Sequence, residues 1–196
     1  LTRWRFMRCI YNLNQPPPQD TFWRCRKHEN FAFHPGAPWT SARMDGDEVV
    51  VETPNGEMRF DFLIIGTGFS IDLKHRPETQ DFADSVMLWS DHFTPPEGEE
   101  SALLSSHPYL GQRFQFLPKD PADPKAPMLA AIYNFTFASM PSMGLSGASI
   151  SGMRFGVEKL TRGIARDLFV EDGEKHLESL LSYDTEELIS LDPPTV

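Results

Sequence analysis

The stretch Glu48-Val49-Val50-Val51-Glu52-Thr53-Pro54-Asn55-Gly56-Glu57-Met58-Arg59-Phe60-Asp61-Phe62-Leu63-Ile64-Ile65-Gly66-Thr67-Gly68-Phe69 decides how this chain is read. Val49-Val50-Val51 is β-branched and suits a strand. Pro54-Asn55-Gly56 interrupts it, and Asn-Gly is a strong hairpin turn. From Glu57 the pattern alternates, with Met58, Phe60, Phe62 and Ile64 on one face, and it closes in the unbroken apolar run Phe62-Leu63-Ile64-Ile65. Such a run suits a strand covered on both faces, as in a parallel sheet flanked by helices. The strand is expected to break at Gly66-Thr67-Gly68 and to leave open main chain at the carboxyl end of a sheet, where open α/β folds bind nucleotide ligands. Glycine permits unusual φ values and close approach of a pyrophosphate or ring, and Thr67 adds a small hydroxyl. Taken alone, the tripeptide reads sooner as a tight turn.

Working outward toward the N-terminus, residues 1–14 read as a helix ended by Pro16-Pro17-Pro18. Asp20 or Thr21 is placed to cap a second helix running to about Lys27. Phe31 to His34 reads as a short strand before the breaker Pro35-Gly36. Toward the C-terminus, residues 71–128 are rich in proline, with a short helix expected around Glu78 to Ser85. A loop this long inside a domain is often functional. Leu129 to Phe137 is a second strand candidate, and Met140 to Ala148 a loop. Ser149 or Ser151 starts the longest helix, to about Phe169. Shorter helices are expected over Asp172 to Leu181 and Thr185 to Ile189.

That last loop and helix form the second informative constellation: Met143-Gly144-Leu145-Ser146-Gly147-Ala148-Ser149-Ile150-Ser151-Gly152. Ile150, Met153, Val157, Leu160, Ile164 and Leu168 make one apolar helical face. Gly152, Gly156 and Gly163 fall on a stripe beside it. Each glycine costs about 1 kcal/mol against alanine in a helix interior, which points to something packed very close, either another backbone or a cofactor, with plain helix-on-sheet packing as the simpler alternative. The helix start offers free N–H groups and a positive dipole end to an acceptor-rich or anionic ligand.

Composition bounds the function. The 196 residues carry 18 Lys+Arg against 28 Asp+Glu, a formal charge of −10, which argues against general nucleic-acid binding. The charge is uneven: residues 1–27 hold Arg3, Arg5, Arg8, Arg24, Arg26 and Lys27 against Asp20 alone, a net of +5 that leaves −15 for the remainder. A basic start meets either a nucleotide phosphate or, more simply, solvent or an acidic surface elsewhere in the chain. Cys9 and Cys25 make no disulfide framework and read as buried thiols. No apolar stretch is long enough to span a bilayer, and no secretory leader is visible. A cytoplasmic setting is the expectation. The chain begins with Leu1 rather than Met, and a segment upstream is expected.

The Val-rich strand, the Asn-Gly turn, the returning strand with Asp61 and the motif Gly66-Thr67-Gly68-Phe69 together resemble the end of the nicotinamide-binding domain in flavoproteins with two dinucleotide-binding domains. Flavin-containing monooxygenases, Baeyer–Villiger monooxygenases and amino-acid N-hydroxylases share this pattern, usually with alanine where Gly66 stands. Gly144-Leu145-Ser146 and the Ile150-Ser151-Gly152 helix start resemble the closing element of the flavin domain, whose helix N-terminus faces the flavin. The likeness covers roughly residues 30–70 and 129–169.

The resemblance implies an α/β class (α+β for an isolated fragment) within a Rossmann-like FAD/NAD(P)-binding fold with an antiparallel hairpin insert. It divides the chain into residues 1–70, the end of a nicotinamide-binding domain; 71–128, a loop-rich connection; and 129–196, the end of a flavin-binding domain with an acidic helical tail. It implies FAD and NAD(P)H as cofactors of the full-length protein, with Thr67, Gly68, Phe69, Leu145, Ser146, Gly147 and Ser149 as the contacts. Both Gly-x-Gly-x-x-Gly fingerprints of the family are absent from this sequence. The piece alone is therefore expected to be inactive, to need the missing N-terminal domain of the same protein, and to serve a small-molecule substrate. Self-association is left open. The alternative is a non-catalytic interaction module using the basic first helices and the proline-rich loop.

Other candidates are weaker. Cys25, His28 and His34 fit no zinc spacing. Ser146 does not sit in a hydrolase elbow. Asn134-Phe135-Thr136 matches a glycosylation acceptor but falls in an expected buried strand. His92 and His107 are acid–base candidates that read sooner as surface histidines. Glu97, Glu99 and Glu100 read as a solvated loop. No catalytic base and no metal ligand emerges.

Overall fold

The computed structural model describes residues 1–13, 17–147 and 149–191. Asn14 and Pro16, where the first helix was expected to stop, and Ala148 of the expected loop lie outside them. The chain divides into two compact units: Ile10–Ser70, and Leu1–Cys9 together with the chain from Ile71 onward. Helix and strand are mixed, as in an α+β protein, with one small antiparallel sheet.

The unit Ile10–Ser70 holds that sheet. Strands β1 (Ser41–Asp45), β2 (Glu48–Thr53) and β3 (Gly56–Phe60) pair in the order β1-β2-β3. The expected hairpin is there, with Thr53 opposite Gly56. Its two-residue turn is Pro54-Asn55, and Gly56 opens β3 with φ +111°. Val50 and Val51 are adjacent, so they point to opposite faces, and both are buried. Cross-strand pairs Arg43–Glu57 at 2.7 Å and Arg59–Asp45 at 2.7 Å lie on the exposed surface. Water screens such pairs, so valine burial is the larger stabilising term. β1 was not anticipated because every residue of Ser-Ala-Arg-Met-Asp is exposed, the polar pattern of an edge strand. Only the Asp45-Gly46 turn dipeptide announced it. Helix α2 (Gln19–Arg26) follows Pro18. Phe31 and Phe33 form no strand; both rings pack edge-on against Phe22.

The strand expected over Phe62–Ile65 is not formed. Residues 61–70 have no regular structure, and Phe62 (86%) and Ile64 (93%) are exposed. A strand needs a neighbour to take its N–H and C=O groups, and no described segment pairs with this one. For the same reason no parallel sheet is present among the described residues.

The other unit is built around Leu73, Phe82, Ala83, Val86, Leu110, Phe116 and Leu129. Residues 71–128 are thus core-forming. They carry 3₁₀ turns at Leu73–His75 and Ala83–Ser85, the single-turn helices α3 (Trp89–His92) and α4 (Ala102–Ser105), and isolated antiparallel bridges such as Leu110 to Phe116. The expected strand over Leu129–Phe137 is instead α5 (Ala126–Ala130), a single bridge from Tyr133 to Gln115, and a 3₁₀ turn at Phe137–Ser139. Pro127 at the first turn of α5 favours helix there, where its missing N–H costs nothing. α6 (Met140–Met143), a turn at Gly144–Gly147, α7 (Ile150–Glu171) and α8 (Gly173–Leu181) complete the unit. Ser149 caps α7, accepting from Gly152 N–H at 3.1 Å. The helix expected over Thr185–Ile189 is absent.

Helix α1 (Thr2–Asn12) docks its first residues on this unit. Trp4 stacks tilted against Trp89 and Phe93, and its Nε1–H donates to the Glu99 carbonyl at 2.8 Å. Arg5 pairs with Glu99, Arg8 donates to Gly98 O, and Arg3 donates to Ser142 O. Arg3, Arg5 and Arg8 therefore meet acceptors of their own chain, and Glu99 is not a freely solvated residue. Ser142 ties the centre together: its Oγ accepts from Trp89 Nε1–H and Leu110 N–H and donates to Pro108 O. His107 is buried rather than at the surface, whereas His92 is exposed and stacks on Tyr109 at 3.7 Å. Cys9 is exposed and Cys25 half-buried, against the expectation of buried thiols. No helix is long and apolar enough to cross a membrane among the described residues.

Candidate functional site

The sequence-derived contacts fall in both units. Thr67, Gly68 and Phe69 lie in Ile10–Ser70; Leu145, Ser146, Gly147 and Ser149 lie in the other. Gly68 adopts φ +101°, a region open to glycine, and a Cβ added at Gly66 or Gly68 would meet nothing within 4 Å. Thr67 and Phe69 are exposed. This is bare, accessible main chain.

The Gly144–Gly147 turn is more closely held. Gly144 takes φ +70° and borders open space, and Leu145 is exposed. Gly147 does not border open space: a Cβ there would lie 2.5 Å from Ser139 Oγ and 3.4 Å from both Phe114 Cε1 and the Thr136 carbonyl. Ser149 is spent on its own chain, donating from Oγ to the Leu145 carbonyl at 3.1 Å while capping Gly152. The glycine stripe of α7 also answers to this packing. Gly152 lies against the Leu145 carbonyl and Gly163 against the stem of Arg113. The helix turns its glycine side inward and leaves Ile150 (89% exposed), Met153, Val157 and Leu168 facing out.

Arg113 and Phe114 sit on the tight turn that joins Leu110 to Phe116. Phe114 N–H donates to Gly111 O at 3.1 Å, and Gly111 N–H to Gln115 O at 2.9 Å. Phe114 takes φ +72° and is fully buried. A bulky residue in the left-handed region costs about 1–2 kcal/mol, so packing against Phe135 and Gly147 holds it there. Arg113 reaches Asp167 of α7 at 3.2 Å, and Asp167 also accepts from Tyr133 O–H at 2.8 Å. That hydrogen bond to a carboxylate pushes the Tyr133 hydroxyl above its ordinary pKa, with desolvation a smaller cause.

Beside this turn lies a cleft of about 240 Å³, entirely within one unit. Leu73, Phe82, Phe116 and Ile132 give it apolar walls, and Arg76, Glu78, Thr79, Tyr133, Asn134 and Thr136 add polar groups. Segment 132–138 is stitched in place: Phe116 N–H donates to Ile132 O, Asn134 N–H to Phe114 O, and Ser139 Oγ–H to Thr136 O. Sequence reasoning treated Asn134 and Thr136 as part of a buried strand and missed the cleft. The available signal was the Asn-x-Thr spacing itself, since such side chains close local turns on the backbone. Among the described residues no group of three or more His, Cys, Asp or Glu side chains is placed to hold a metal ion.

No family model matches the chain, and no solved structure matches it. A curated relative does: the chain is 38% identical over 187 residues, 95% of its length, to the FAD-dependent urate hydroxylase of Xanthomonas campestris pv. campestris. The chain spans 39% of that relative's length, and it is thus similar to part of a FAD-dependent oxidoreductase.

Proposed function

We propose that this chain is the C-terminal portion of a FAD- and NAD(P)H-dependent oxidoreductase that hydroxylates a small heterocycle of the urate kind. The observation that carries the reading is the 38% identity, which extends over 95% of the chain to a FAD-dependent hydroxylase. In this reading residues 1–70 close the nicotinamide domain, 71–128 connect, and 129–196 close the flavin domain. When bound, reduced flavin supplies the oxygen chemistry and nicotinamide the reducing equivalents. The residues of this chain position and shield. Gly68 offers open main chain at positive φ, Thr67 a hydroxyl and Phe69 an exposed ring. Leu145 and the turn holding Ser146 present the second rim, with Gly147 and Ser149 shaping that turn from inside.

Two exposed apolar surfaces support a larger parent. Phe62-Leu63-Ile64-Ile65 and the outward face of α7 leave large side chains in water, and contiguous apolar surface marks an interaction site. The missing N-terminal domain is the proposed cover, the first as a strand added to its sheet. The alternative is an interaction module built from the basic first helices and the proline-rich loop; Arg3, Arg5 and Arg8 are engaged within the chain, which leaves it the exposed Arg24, Arg26 and Lys27.

The test is to purify the longer protein that contains this chain and record its absorbance. A flavin spectrum that bleaches on adding NADH or NADPH, with urate-dependent oxygen uptake, is expected. A colourless full-length protein would overturn the reading.

A further inference from the structure

Asn134 is only 5% exposed, yet one end of its amide has no partner among the described residues. Thr136 Oγ1 accepts from Ala138 N–H at 3.2 Å and donates to Asn134 Oδ1 at 2.7 Å. The oxygen is satisfied, and the two N–H groups on Nδ2 are left over. Nδ2 is not sealed in the interior, as Arg113 Nε is. The open space that Asn134 lines is the cleft.

The rest of the cleft narrows what enters. Phe82 and Phe116 meet edge to face at 5.8 Å and, with Leu73 and Ile132, present apolar walls. Thr79 is occupied, donating from Oγ1 to Leu73 O at 2.6 Å. The other polar side chains at the cleft include the Asn134 amide and the Arg76–Glu78 ion pair at 4.0 Å, whose charges are spent on each other. The volume of about 240 Å³ lies below the roughly 300–1,000 Å³ of pockets for drug-sized ligands. One or two fused flat rings suit a space of this size.

We propose that this cleft binds a planar, carbonyl-bearing heterocycle of one or two rings, with Asn134 Nδ2 donating to a ligand carbonyl and the apolar walls taking the ring faces. That this ring is the substrate's, rather than the edge of a flavin, rests on the hydroxylase reading above. The amide acts as a recognition group; no proton transfer is assigned to it.

The test uses the full chain labelled with ¹⁵N. The side-chain amide signals of Asn134 are identified by their loss in Asn134→Leu, and the probes are added to unmutated protein, so the outcome does not depend on how that variant folds. Xanthine is expected to shift these signals saturably. Purine, the same bicycle without carbonyls, is expected to bind at least tenfold more weakly, and lumiflavin to leave the signals in place. No shift with xanthine, equal affinity for purine, or a shift with lumiflavin instead of xanthine would each overturn the proposal. The flavin spectrum of the longer protein scores the parent reading separately. A yellow parent with unmoved Asn134 signals sinks the cleft alone. A colourless parent with xanthine-shifted signals removes the hydroxylase reading and keeps the binding site.

Discussion

Gly163 of α7 lies directly against the side chain of Arg113: a Cβ added to the glycine would sit 2.8 Å from both the Cβ and the Cδ of the arginine. Gly163→Ala gains about 1 kcal/mol of helix propensity but overpacks a contact made partly of backbone-proximal atoms, a cost of about 1–3 kcal/mol. A net loss of stability is expected in urea denaturation. Gly173→Ala, with nothing within 4 Å, is the control and should be neutral or stabilising. Arg113→Gly should rescue Gly163→Ala, because the arginine Cβ is itself part of the clash. Equal midpoints for the two alanine variants would refute this account of the glycine stripe.

Phe114 allows a second comparison. Its side chain is fully buried and its φ is +72°. Phe114→Ala removes packing worth about 3–5 kcal/mol and keeps the backbone strain. Phe114→Gly removes the same packing and relieves about 1–2 kcal/mol of left-handed strain. The glycine variant should therefore unfold at the same or higher denaturant than the alanine variant, the reverse of the usual order.

Burial, assisted only weakly by charge, should anchor α1. Trp4→Ala is expected to lower stability by about 3–5 kcal/mol, since the ring is 2% exposed among Trp89 and Phe93. Arg5→Ala breaks an exposed pair with Glu99 and should leave the melting temperature close to that of the parent. A larger loss from Arg5→Ala than from Trp4→Ala would reverse the assignment.

His107 predicts a pH dependence. Desolvation holds its pKa below the ordinary value, partly offset by the Nδ1 hydrogen bond to Leu103 O. The unfolded chain takes up the proton near pH about 6.5, and the folded chain only at lower pH. The stability linked to this group is complete above that pH and falls as pH drops toward the folded value. Denaturation midpoints measured from pH 7.5 to 5.5 should decline, and the decline should flatten in His107→Leu.

In the longer protein, Gly68→Val should reduce flavin absorbance per protein more than Glu97→Ala. Valine cannot readily take φ +101°, and its side chain would fill open space beside Thr67. Equal retention in the two variants would remove Gly68 from the proposed site.

The hairpin at Thr53 and Gly56 and the long helix starting at Ser149 or Ser151 were legible in the sequence, because turn residues, caps and helical periodicity act over a few neighbours; the structure chose Ser149 as the cap. The apolar run Phe62–Ile65 was equally clear as a candidate strand, yet a strand exists only where another segment takes its hydrogen bonds, and the described chain offers none. Leu129–Phe137 misled for the opposite reason. Its β-like residues pack into the core from a helical turn and a single bridge, and Pro127 favours the helical turn.

By itself the sequence determined the hairpin turn at Pro54-Asn55-Gly56, the start of α7 at Ser149 or Ser151, and a close approach to its glycine face. Only the tertiary structure decided that the Leu145 carbonyl and Arg113 fill that face, that Arg3, Arg5 and Arg8 are spent inside the unit, and that Asn134 is buried with its amide beside a cleft. The first set is fixed by dihedral preferences and hydrogen bonds a few residues apart. The second depends on contacts between residues as distant as Arg3 and Ser142, whose closure no local pattern encodes.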